Sequence, residues 1–95
     1  MQLKIQSVHF NADHKLETFI EDKLSKLSNH YDQIIGSDVI LRLEKSATRE
    51  NKIAEIKLLI PGNDLFAKKQ SKTFEEATDL AVDALKRQIS KRKVR

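Results

Sequence analysis

The chain has 95 residues, which fits one small domain and is too short for the two-domain layout of most cofactor enzymes. It contains no cysteine, so zinc fingers, cysteine nucleophiles and disulfide frameworks are excluded and a reducing compartment is indicated. No apolar run approaches the roughly 18 residues that a membrane span requires, and the first residues form no signal peptide. We therefore expect one cytoplasmic domain over residues 1–95, with no membrane contact and no small-molecule substrate.

The positive charge is concentrated in the last third of the chain. The formal net charge is +4, yet residues 1–67 carry nine basic and ten acidic side chains. Residues 68–95 carry nine basic and only four acidic side chains, and the last ten residues hold six cations and no anion. A helix macrodipole also favours cations near a helix C-terminus, so the run alone leaves two interpretations open. A positive electrostatic potential concentrated at one end of the molecule indicates a phosphate-bearing partner.

The first half of the chain predicts a strand, a helix and a second strand. Apolar and polar residues alternate over 2–8, which is typical of a half-buried strand. Over 13–29 the apolar residues recur at steps of three and four, which predicts a helix with one buried stripe formed by Leu16, Phe19, Ile20, Leu24 and Leu27. Alternation returns over 39–44 and predicts the second strand.

The second half predicts two more strands and a long helix. Alternation over 54–60 indicates the third strand, and the turn residues 61–64 separate it from a fourth strand that starts at Leu65. Thr73 and Glu76 have the spacing of a capping box, in which each side chain bonds the other residue's amide. The helix that follows is predicted to run for about 19 residues. Its predicted core stripe is Phe74, Ala77, Ala81, Leu85 and Ile89.

The element order β-α-β-β-β-α predicts an α+β fold. A right-handed crossover makes the first two strands parallel, and short turns make the last three an antiparallel meander. Each helix has one apolar stripe, so both helices should pack on one face of the sheet. We predict a two-layer sandwich of a four-stranded mixed sheet and two helices, similar to double-stranded RNA-binding domains.

No motif in the chain indicates catalysis. The histidines, His9, His14 and His30, lack the spacing of metal ligands or of a general base. The two glycines are too far apart to form a phosphate-binding loop. We expect no enzyme activity, no cofactor and no metal.

The candidate site is therefore electrostatic. Five cations are predicted to surround the solvent side of the last two turns of the second helix: Lys86, Arg87, Lys91, Arg92 and Lys93. Lys15, Lys23 and Lys26 of the first helix lie off its apolar stripe, and a side-by-side helix pair would bring these flanks into one groove. The acidic neighbours Glu17, Glu21 and Asp22 weaken this half of the groove.

The open sheet face offers a second surface. It is expected to carry Ile40, Ile53, Leu59 and Phe66 among polar residues, and this pattern serves either β-propensity or a protein partner. Phe66 is its one predicted aromatic side chain, and one ring argues against base stacking along the sheet as in RRM domains.

Across nearly its whole length the chain resembles the family of short ribosome hibernation promoting factors and ribosome-associated protein Y. The most specific similarity is in the last residues of the sequence, where Arg87-Gln88-Ile89, Lys91 and Lys93 fit an Arg-Gln-Leu-x-Lys-x-Lys pattern with Ile for Leu. The weaker matches are Met1 to Ile5, Lys23 to Leu27 with Tyr31-Asp32, Val39 to Leu41 with Glu44-Lys45, Ala54 to Ile56, Asp79, Asp83 and Leu85. One departure is Thr73-Phe74-Glu75, where the family often has Asp-Met-Tyr, so no contact is transferred to position 75. The chain ends at Arg95 without a further domain or an acidic tail, and it resembles the short form best.

The resemblance implies binding to the small ribosomal subunit and its 16S rRNA, between head and body. There the family covers the tRNA and mRNA sites and silences translation in slow growth. The implied phosphate contacts are Lys23, Lys26, Arg87, Lys91 and Lys93, and Lys86 joins them by charge position alone. Pairing of silenced ribosomes would need a separate dimerising factor or a further domain.

Two alternatives remain at this stage. A free-standing double-stranded RNA-binding domain shares the fold class, but its lysines usually lie at the start of the last helix, where this chain is acidic. A protein-binding adaptor would use the open sheet face, and its binding would survive high salt.

Overall fold

Four strands and two helices form the computed structural model, which describes residues 2–45 and 49–93. The elements are β1 (Gln2–Val8), α1 (His14–His30), β2 (Gly36–Leu43), β3 (Lys52–Leu59), β4 (Leu65–Ser71) and α2 (Phe74–Lys93). Every predicted element is present in the predicted order. β2 begins earlier than its alternation indicates, at Gly36, and β4 continues through Ser71. Within the described ranges, no helix is both long enough and apolar enough to cross a membrane.

The sheet has the predicted mixed topology. Its order is β1-β2-β3-β4, with β1 parallel to β2 and the other neighbours antiparallel. β1, β2 and β4 therefore run in one direction. Gly36 lies at the start of the parallel pair, where a Cβ would come within 2.9 Å of the Gln2 carbonyl oxygen. The close approach of β1 and β2 thus depends on a residue without a side chain.

Both helices cover the same face of the sheet and share one core. The buried residues of α1 are Leu16, Ile20, Leu24 and Leu27, and the predicted stripe of α2 is buried throughout. They pack with the inward rows of β2 and β3, formed by Val39, Leu41, Ala54, Ile56 and Leu58. Phe19 is the exception in the α1 stripe, because it is only half-buried at the margin of the core.

Side-chain caps fix the first turn of each helix. The Asp13 carboxylate accepts the Leu16 amide at 2.9 Å, and the Thr73 hydroxyl accepts the Glu76 amide at 3.0 Å. The second half of the predicted capping box differs, because the Glu76 carboxylate accepts a hydrogen bond from the Ser71 hydroxyl. Ser71 is buried at the end of β4, and this bond satisfies its hydroxyl while joining β4 to the start of α2.

Candidate nucleic-acid interface

The two helices run side by side in the same direction. At its start α2 is tied to the end of β4 by the Ser71 to Glu76 bond, and near its end Gln88 Nε2 donates to the Phe66 carbonyl oxygen at 2.9 Å. α2 is therefore antiparallel to β4. α1 connects the parallel strands β1 and β2 and returns in the same direction as α2. The C-terminal ends of both helices thus lie at one end of the molecule, which we call the basic end.

A groove separates the helices, as the sequence predicts, but Lys15 does not line it, because it lies in the first turn of α1 at the opposite end of that helix. It is lined by Lys23, Lys26, Leu27 and His30 of α1 and by Asp79, Val82, Asp83 and Lys86 of α2. Leu27 and Val82 are buried and form its apolar floor, while the charged residues line its two walls. Three lysines and two carboxylates share the groove, so its basic character is weaker than a count of lysines suggests.

Lys23 is partly neutralised inside this groove. Its Nζ lies 2.9 Å from Asp79 Oδ1 across the helix pair and 5.5 Å from the centre of the Phe19 ring. The side chains of Lys23 and Asp79 keep 40% and 48% exposure, so the pair is solvated and adds little to stability. Lys23 therefore links α1 to α2, and its predicted phosphate contact competes with Asp79.

Lys26 and Lys86 are the groove lysines that keep their charge available. Both side chains are exposed, and neither forms an ion pair with any residue in the described part of the chain. They lie on opposite walls of the groove, Lys26 on α1 and Lys86 on α2. The structure thus brings together two of the predicted site residues from separate helices.

Arg87 and Lys91 lie on a different flank of α2. They are exposed and separated by four residues, so they lie one above the other on the helix surface. Lys91 follows Val82 by about two and a half helical turns and so points away from the groove floor. The predicted basic residues therefore form two groups, one in the groove and one on the outer flank of α2. Arg92 and Lys93 belong to α2, but their side chains lie outside the described residues.

In the part of α2 whose side chains are described, exposed residues follow the last buried residue. Gln88 bonds the second residue of β4, and Ile89 is the last fully buried residue of the helix. Lys91 follows them and is exposed. Lys91 is thus an exposed cation on a helix that is anchored in the core as far as Ile89.

On the open sheet face, one of the predicted apolar residues is less exposed than expected. Ile53 lies on this face, as predicted, and outside the main core cluster, but it is only 2% exposed and so offers no surface to a partner. Its register partners are Arg42 and Gln70, two long side chains that flank it across the sheet. Phe66 by contrast is 52% exposed, as predicted, and Ile40 and Leu59 are half-buried.

The acidic residues of the groove were not predicted as part of the site. Asp79 and Asp83 follow the first turn of α2, and the sequence contains no signal that they face the lysines of α1. That pairing depends on how far one helix is shifted along the other. Among the residues described, no group of three or more histidine, aspartate or glutamate side chains could hold a metal ion.

The fold has close relatives among solved structures. It is similar to a ribosomal subunit interface protein from Coxiella burnetii, with a TM-score of 0.87, 22% identity and full coverage of both chains. It is also similar to the N-terminal domain of protein Y from Thermus thermophilus, with a TM-score of 0.81, 22% identity and coverage of 98% of this chain and 100% of that one. These likenesses confirm the predicted two-layer α+β fold.

Comparison of the sequence with known proteins shows the family to which the chain belongs. The family described as sigma 54 modulation protein / S30EA ribosomal protein matches residues 3–95, and the chain belongs to it. A ribosome hibernation promoting factor of Pseudomonas putida is 30% identical over 93 residues, covering 98% of this chain and 87% of the relative. One from Azotobacter vinelandii is 32% identical over 93 residues, covering 98% of this chain and 83% of the relative. The resemblance found in the sequence is thereby confirmed.

Proposed function

We propose that this protein is a ribosome hibernation factor that binds the small ribosomal subunit through rRNA phosphates and silences translation by covering the tRNA and mRNA sites. The observation that carries the proposal is the set of exposed cations at the basic end, in a chain whose relatives are named ribosome hibernation promoting factors. A ribosomal partner also places the protein in the cytoplasm. The protein acts by occupancy in this account.

The geometry of the basic end supports phosphate binding. Lys26 and Lys86 offer compact charges on the two walls of the groove, while Arg87 offers a planar fork that can hold two phosphate oxygens. Lys91 adds a charge one turn beyond Arg87. Because both helices are anchored by buried stripes, binding one folded RNA costs side-chain entropy but does not require the backbone of the helices to become ordered. Lys23, Arg92 and Lys93 complete the proposed contact set.

A sedimentation experiment with purified subunits tests the proposal. We expect the protein to co-sediment with small subunits in a sucrose gradient and not with large subunits. Small subunits preloaded with mRNA and initiator tRNA should retain less of it, because the sites overlap. In stationary-phase extract the protein should migrate with ribosomes.

An in vitro translation assay supplies the functional readout. Added protein should lower the yield in proportion to the fraction of small subunits it occupies. Binding to large subunits only, or full occupancy of small subunits without loss of translation, would contradict the proposal.

A further inference from the structure

The open sheet face carries an exposed aromatic ring between two lysines. Phe66 lies on edge strand β4 and is directly opposite Lys57 of β3. Lys68 is two residues further along β4 and therefore on the same face as Phe66. The Phe66 ring is 52% exposed, and both lysines are exposed.

The outer flank of α2 reaches the same edge of the molecule. Gln88 donates to the carbonyl oxygen of Phe66 and so fixes this part of α2 beside the start of β4. Lys91 lies one turn after Gln88 on the same flank, and Arg87 lies one turn before Lys91. The cations of α2 that point away from the groove thus lie on one side of β4, and Phe66 with its lysines lies on the other.

The charge balance of this edge is basic. Asp38 is the register neighbour of Lys57, and Glu55 is the register neighbour of Lys68. The Glu55 carboxylate, however, is 3.4 Å from Arg42 Nη2 and faces a cation of its own. Within residues 2–45 and 49–91, no carboxylate forms an ion pair with Lys57, Lys68, Arg87 or Lys91.

An exposed ring with cations around it fits an unpaired nucleotide. An aromatic side chain stacks on the face of a base only where that base is free of its own neighbours, and nearby lysine or arginine binds the flanking phosphates. A protein partner would require a wider apolar area, whereas Phe66 is the one exposed large apolar side chain among the described strand residues, and Ile40 and Leu59 on the same face are half-buried. A single ring accommodates a single base, which differs from the multi-base platform that the sequence argues against.

We propose that Phe66, Lys57, Lys68, Arg87 and Lys91 form one surface around the β4 edge that binds a single-stranded RNA segment, with one base stacked on Phe66. This inference rests on the proposed function, because it names a second class of RNA contact for the same partner. The basic end binds phosphates of folded RNA, and the β4 edge surface, which shares Arg87 and Lys91 with the basic end, binds an unpaired nucleotide. No base preference is expected, since every base has a stacking face.

A tryptophan substitution makes this surface observable. The chain has no tryptophan, so F66W supplies a single fluorescent reporter at the proposed stacking position. We expect a short oligouridylate and purified small subunits to quench its fluorescence, and a fully paired RNA hairpin to quench it little. F66A should bind the oligouridylate and the small subunit at least about fivefold more weakly than the unmodified protein. I35A, which removes another exposed apolar side chain just before β2 and two strands away from β4, is the matched control and should bind within about twofold of the unmodified protein.

The outcomes separate this inference from the proposed function. If the unmodified protein co-sediments with small subunits while F66A binds equally well and F66W is not quenched, the β4 edge surface is overturned and the proposed function stands. If F66A binds more weakly but F66W shifts to the blue without quenching by oligouridylate, the surface takes a protein and the RNA inference is overturned. If the unmodified protein binds no small subunits, both are overturned.

Discussion

At the scale of single residues, Lys23 shows that a lysine counted in the sequence is not always free to bind a phosphate. It is one of three groove lysines, but its Nζ faces Asp79 at 2.9 Å and Phe19 at 5.5 Å. In the proposed complex, Asp79 would therefore compete with phosphate for Lys23. Removing that carboxylate should release one cation at a small cost in stability.

We predict that Asp79→Asn strengthens small-subunit binding at low salt and steepens its salt dependence by up to about one unit of logarithmic slope, because Lys23 then contacts its phosphate without competition from Asp79. Its free energy of unfolding should fall by less than about 1 kcal/mol, since the ion pair is half-exposed. Glu50→Gln gives the same change in charge at an exposed site far from the basic end and is the control. Equal slopes for Asp79→Asn and the unmodified protein would show that Asp79 does not compete with phosphate for Lys23.

The turn between β3 and β4 depends on one glycine. Gly62 has φ +93°, in the left-handed region that side chains disfavour, although a Cβ there would meet no atom within 4 Å. Gly62→Ala should therefore lower the free energy of unfolding by about 1 kcal/mol, measured by urea denaturation. Gly62→Asn should lose less, because asparagine tolerates this conformation better than alanine. A neutral alanine variant would show that the turn relaxes to another conformation.

At the scale of elements, the caps of the two helices give a direct comparison. Asp13 and Thr73 each accept one amide of the first turn, and both residues are exposed. We predict that Asp13→Ala and Thr73→Ala each lower the free energy of unfolding by about 1 kcal/mol. Ser25→Ala, at an exposed position inside α1, should be nearly neutral. The measurement is chemical denaturation followed by circular dichroism, and a Ser25 effect as large as the cap effects would contradict the assignment.

The sequence predicts a helix or strand closely where a single apolar periodicity runs through the whole element. The alternation over 2–8 and the stripes of both helices define β1, α1 and α2 closely. The start of β2 was missed because Gly36 and Ser37 are buried by their neighbours β1 and β3, and neither residue adds to an apolar alternation. The face of Ile53 is predicted correctly, but its burial is not, since that burial comes from cross-strand side chains that become neighbours only in the sheet.

At the scale of the whole molecule, topology determines where the charge lies. Because α1 and α2 run in the same direction, the lysines at their ends meet, and the sequence predicts this through the β-α-β-β-β-α order. The apolar stripes of α1 and α2 do not, however, predict how far one helix is shifted along the other. The pairing of Lys23 with Asp79 and the division of the cations into two flanks therefore emerge only from the assembled structure.

The salt dependence of binding reflects all the phosphates that the whole molecule contacts. If roughly six to ten phosphates are contacted, affinity for the small subunit should fall by about 10³ to 10⁵ between about 50 and 200 mM salt, because bound counterions are released. Equilibrium titration at several salt concentrations measures this slope. A protein-binding adaptor that uses an apolar face would show a nearly flat dependence, which would contradict the electrostatic account.

The most direct test compares two triple variants with the same change in charge. The basic-end variant is R87E/K91E/K93E, and the control is K15E/K45E/K72E, which alters three lysines at the opposite end of the molecule. Both should keep the circular dichroism spectrum of the unmodified protein, because the described side chains among these six residues are exposed. Co-sedimentation with small ribosomal subunits is the single measurement required. The account predicts that it is abolished for the basic-end variant and largely retained for the control; equal retention by both, or a greater loss in the control, would contradict it.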